Sequence, residues 1–130
     1  MPILQTKKGF TLVEVLLATF ILSVGIVSTL LFFSTAMTTA DYSRDVTIST
    51  SHGEYIFEEM KTQNSIANIV STDWNVWLTN KGLTLLPQEQ VQVDISDILK
   101  NSAKIKLIIS WVKRSRVNKT ILYTEITKWR

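Results

Sequence analysis

Between Phe10 and Phe33 every residue but one is uncharged, and the exception is Glu14. At about 1.5 Å per residue a helix over these positions reaches roughly 36 Å, more than the ~30 Å thickness of a bilayer's hydrocarbon core. The run is predicted to be a membrane-spanning helix, so only the remainder of the chain can build a folded domain. Of 130 residues that remainder is roughly 100, enough for a modest core in one α/β layer and too few for a deep catalytic cleft.

What flanks the run matters as much as the run itself. Residues 1–9 precede it, and Lys7 and Lys8 are separated from it only by Gly9. Positive charge beside an apolar segment holds that end in the cytoplasm, which predicts a cytoplasmic amino terminus and an exported carboxy-terminal domain. An ordinary secretory signal places its small-residue cleavage site after the apolar region. Here Ser34-Thr35-Ala36 is a weak match, and the chain continues into a helical pattern without proline. The apolar helix is therefore expected to be retained. A cut before it would remove the lysines and leave Phe10 as the new amino terminus.

The string Lys7-Lys8-Gly9 followed by Phe10-Thr11-Leu12-Val13-Glu14-Val15-Leu16-Leu17-Ala18 resembles the cleavage and methylation site of type IV prepilins. That resemblance implies a leader over residues 1–9, cleavage after Gly9 by a membrane-embedded prepilin peptidase, and N-methylation of Phe10 by the same enzyme. It also implies that Glu14 serves assembly, meeting the new amine of its own chain or of a neighbouring subunit. The partners it implies are the peptidase, other pilin or pseudopilin subunits, and the lipid of the inner membrane.

The physical reading of Glu14 agrees, because a carboxylate about 6 Å beyond Phe10 inside an apolar helix costs several kcal/mol unless it is paired or neutral. Phe10 and Glu14 share a helical face at i and i+4, so an amine at Phe10 can supply the partner. The bland alternative is a lone glutamate reaching out to the interface. Ala18, Thr19, Ser23, Gly25, Ser28 and Thr29 are small enough to let helices approach closely in lipid. Gly25 has two readings, a contact residue or a weak point where the helix melts in a filament.

From Ser34 to about Thr62 the pattern stays helical and becomes amphipathic. Val46, Gly53, Ile56, Phe57 and Met60 fall near one face, with Asp45, Glu54, Glu58 and Glu59 largely off it. One helix of roughly 50 residues is expected, its first half (10–33) in the membrane and its second half on a sheet. Gly53 would let a strand approach closely. His52, the single histidine, has no companion ligand or nucleophile and reads as a surface or packing residue.

Residues 63–88 read as a long connection with a short helix around Thr72–Leu78, in which Trp74 and Trp77 either pack on the sheet or form a partner-binding patch. Val91, Val93 and Ile95 alternate with Gln92 and Asp94, and Ile105, Leu107, Ile109 and Trp111 alternate with Lys104, Lys106, Ile108 and Ser110, which makes two strands. A third is expected from about Thr120 to Trp129, with Lys113–Lys119 as a basic connection. The fold class expected is α+β, a long N-terminal helix packed on an antiparallel sheet of about three strands. Residues 34–130 would then form an exported pilin-like domain.

Charge is distributed unevenly: residues 10–99 carry 3 basic against 10 acidic groups, and residues 100–130 carry 9 against 1. An acidic helix beside a basic sheet accounts for this, and a basic surface for an anionic partner is the alternative. No cysteine is present, which excludes disulfides and thiolate chemistry. With one histidine, four glycines and no phosphate-cradling loop, no catalytic or metal site is expected, and no cofactor or small-molecule substrate. The expected function is a structural minor subunit, a minor pilin or pseudopilin, of a type IV filament or a type II secretion machine. The alternative is a DNA-binding competence-type subunit using Lys113, Arg114, Arg116 and Lys119 on a basic hairpin.

Overall fold

The computed structural model describes residues 9–83, 85–99 and 102–127. Helix α1 runs from Leu12 to Thr62 without a break, the short helices α2 (Ile66–Ser71) and α3 (Trp74–Asn80) follow, and three strands complete the chain: β1 (Gln90–Ser96), β2 (Ser102–Lys113) and β3 (Arg116–Thr127). The fold is α+β, and its sheet is antiparallel in the order β1-β2-β3. Compact units divide at Asp41/Tyr42. The first is the apolar part of α1, and residues 10–44 are all exposed. Gly25 lies in regular helix, with nothing within 4 Å of a Cβ built on it.

In the second unit α1 buries Asp45, Ser49, His52, Gly53, Ile56 and Met60. Their steps of three and four residues trace one helical stripe. Asp45, expected off this face, is on it: its Oδ2 accepts from Lys113 Nζ at 2.6 Å, so the carboxylate enters the helix–sheet contact already paired. Gly53 is where the helix comes closest to the sheet, since a Cβ there would collide with Leu122 Cδ1 and lie 3.3 Å from Leu107 Cδ2. Ser49 Oγ and Thr120 Oγ1 share a hydrogen bond of 2.7 Å across the same contact.

Alternate residues of β2, from Ala103 to Trp111, face the helix and are almost fully buried. They join Ile56, Met60, Ile69, Trp74 and Leu78 in the core, the period-2 signature of a half-buried strand. Trp74 packs as one of the two expected readings had it: it is buried, donates from Nε1 to Ile69 O at 3.1 Å, and meets Trp77 edge to face at 5.8 Å. Trp77 is partly buried, with Lys81 Nζ 5.2 Å from its ring centre. The six-residue α2 was not foreseen; Ser65 caps it by accepting from Asn68 N.

Strands β2 and β3 are longer than the alternation suggested, because their connection is a two-residue turn. Arg114 (φ 52°) and Ser115 (φ 61°) both adopt the left-handed region, the mark of a type I′ hairpin. Lys113, Arg116 and Lys119 consequently stand on strands and not in a loop. Trp129, at the expected end of the third strand, lies outside the described residues.

Candidate functional site

The amino-terminal face is organised by one local motif. Thr11 precedes the first helical residue, and its Oγ1 accepts from Glu14 N at 3.2 Å. In return Glu14 Oε2 accepts from Thr11 N at 2.8 Å and from Thr11 Oγ1 at 3.0 Å. This is a reciprocal capping box, in which the residue before the helix and the third residue within it satisfy each other's backbone donors. Two consequences follow. The helix starts at Leu12, so Gly9 and Phe10 are left in exposed, non-helical backbone. The carboxylate of Glu14, also at the positive end of the helix dipole, is held by its own chain through Oε2, while Oε1 makes no hydrogen bond among the described residues.

The apolar face continuing from Glu14 through Val15, Ala18, Thr19 and Leu22 forms a shallow groove with Phe10. Thr19 and Ser23 return their hydroxyl protons to backbone carbonyls of Leu16 and Thr19. These polar side chains are thus satisfied within the helix, as lipid requires. α1 is the one described helix long and apolar enough to cross a membrane. Lys7 and Lys8 lie outside the described residues.

The basic hairpin is less unified than its sequence suggests. Lys113 faces α1 and is occupied by Asp45, with one third of its side chain exposed. Arg116 is its register partner on the same side of the sheet, whereas Lys119 pairs with Ser110 on the opposite side. Arg114 occupies the turn. The four cations are thus divided between the two faces of the sheet and the turn, with Lys119 on the side that also carries Lys104 and Lys106.

His52 is a packing residue with a specific partner. Its Nδ1 lies 2.7 Å from Glu89 Oε1, with both side chains almost fully buried, and Glu89 Oε2 accepts from Leu86 N at 2.7 Å. The pair ties the 86–89 segment to α1. No cluster of three potential metal ligands occurs among the described residues.

Sequence reasoning missed the Thr11–Glu14 box, although the Thr-x-x-Glu spacing ahead of an apolar run is its signature. It also missed the Asp45–Lys113 pair, where the only signal was the step of four from Asp45 to Ser49.

Comparisons with curated proteins and with solved structures return no match. A family model does match at the capped end of the helix: residues 4–30 carry the prokaryotic N-terminal methylation motif, the signature of type IV pilins and pseudopilins.

Proposed function

We propose that this chain is a structural minor subunit, a minor pilin or pseudopilin, of a type IV filament or a type II secretion machine. The methylation motif at the front of an apolar helix carries the proposal. In this reading residues 1–9 are a cytoplasmic leader, prepilin peptidase cuts after Gly9, and Phe10 becomes the methylated amino terminus. The geometry supports it: a peptidase needs accessible, extended backbone, and the capping box starts the helix two residues beyond the bond to be cut. The mature subunit rests in the inner membrane through residues 10–33 until a filament takes it up, with its carboxy-terminal domain exported. Oε1 of Glu14 then accepts the amine of a neighbouring subunit. The compact three-stranded sheet domain supports a minor over a major subunit.

Intact-mass and amino-terminal peptide mass spectrometry of the membrane-extracted protein test the proposal. A chain beginning at methylated Phe10 is expected. An intact Met1, or a cut beyond Phe33, overturns it.

A further inference from the structure

The sheet order leaves β1 and β3 as edges, and hairpin geometry decides which of their backbone groups are unused. Lys113 and Arg116 flank a two-residue turn and form the hydrogen-bonded pair that closes it. Alternation along the ladder turns the amides of Val117, Lys119 and Ile121 away from β2. On the other side it turns those of Val91, Val93 and Ile95 outward. Asn75 bears this out: Nδ2 donates to Val91 O at 2.9 Å and Oδ1 accepts from Val91 N at 2.7 Å, so one side chain stands in for one residue of a missing strand. The outward groups of Val93 and Ile95 have no partner among the described residues. Beside them a groove of about 410 Å³ is lined by Ile69, Trp74, Val93, Ile95, Ile98 and Asp73.

We propose that this edge receives residues 117–121 of a second copy as a parallel fourth strand. The proposal rests on the filament-subunit reading above. Charge favours the pairing, because β1–β1 and β3–β3 contacts centred on Asp94 and Lys119 oppose like charges, whereas β1 against β3 brings acid to base. Sidedness selects the direction. Outward residues of β1 carry core-facing side chains and outward residues of β3 carry side chains of the opposite face, so only a parallel ladder keeps the helices of both copies on one side of the sheet. The register that fits sets Lys119 of the second copy opposite Asp94 and Arg116 of the second copy on the side of Asp73, and all four positions are exposed. Such a head-to-tail contact is heterologous, so each copy offers its unused edge to a further copy.

The chain has no cysteine, so introduced thiols report the contact without background. Neighbouring strands sit about 4.8 Å apart, within the range a disulfide spans. Full-length Asp94→Cys and Lys119→Cys variants, expressed together in the native cells and oxidised in the membrane, are expected to give a crosslinked dimer; each alone gives none. A chain carrying both substitutions gives a ladder. Crosslinking of either single variant with itself overturns the proposal, as does crosslinking only to a different subunit, or none at all in chains whose amino terminus is methylated Phe10. The two readings fail separately: a crosslink on chains that keep Met1 preserves the edge contact and sinks the processing.

Discussion

A side chain at position 53 meets Leu122, Leu107 and Ile109, and a single methyl group fits there only if the end of the Leu122 side chain moves aside. Alanine there brings up to ~1 kcal/mol of helix propensity against displacement of the Leu122 methyl. Valine adds two further methyl groups on a stiff Cβ, and overpacking of this kind costs about 1–3 kcal/mol. Gly53→Val is expected to lower the urea midpoint of the detergent-solubilised protein, followed by tryptophan fluorescence, while Gly53→Ala stays close to wild type. The Asp45–Lys113 pair calls for a different test. Removing either partner strands a largely buried charge, whereas removing both does not. A double-mutant cycle of Asp45→Ala and Lys113→Ala should return a coupling of about 1 kcal/mol, discounted for the part of Lys113 that meets solvent. Additive losses within ~0.3 kcal/mol would show the pair to be incidental.

Among the elements, the β2–β3 hairpin has an unusual connection. Arg114 and Ser115 hold positive φ angles that a side chain disfavours by roughly 1 kcal/mol each, and Asn-Gly is the pair that suits such a turn. Replacing Arg114-Ser115 by Asn-Gly should therefore stabilise the domain by about 1 kcal/mol, read as a rise in the thermal midpoint of its circular dichroism. An unchanged or lower midpoint would mean that Arg114 contributes more to the fold than its backbone costs. The same turn explains what sequence could and could not show. The long helix and β2 were legible because an apolar run and a period of two, broken only at Ile108, are averages over many residues. The first turn of β3 was not, since Arg116, Asn118 and Lys119 are poor strand formers carried into the sheet by pairing with β2. Asp45 was misplaced for a related reason, as the lysine that makes its burial tolerable lies 68 positions away. At the amino terminus the methylation motif was legible because it acts through local spacing, whereas the Thr11–Glu14 capping box inside it was missed.

At the scale of the whole molecule, one helix serves two environments. Its residues up to Asp41 belong to one compact unit and are exposed from Phe10 onward, and those from Tyr42 carry a sheet domain on a buried stripe. Mutations at the two ends should therefore have separable effects. Gly9→Ala puts a methyl group beside the proposed scissile bond and is expected to block leader removal while leaving the sheet domain's stability unchanged. Glu14→Ala removes the carboxylate from the apolar segment, so membrane residence should stay favourable and cleavage proceed, but the acceptor proposed for a neighbour's amine is lost. Thr11→Val lies between these. It deletes the hydroxyl that donates to Glu14 Oε2 and caps the helix, a loss of about 1 kcal/mol, yet keeps the backbone bond from Thr11 N. Thr11→Ser retains every contact. Filaments sheared from cells and compared with the membrane pool should thus show the order wild type, Thr11→Ser, Thr11→Val, Glu14→Ala, with all four chains starting at methylated Phe10. Normal incorporation of the Glu14→Ala chain would remove Glu14 from assembly. A Thr11→Val chain that fails to be cleaved would instead make the capping box a determinant of processing, because the helix start it sets is what leaves the Gly9–Phe10 bond exposed.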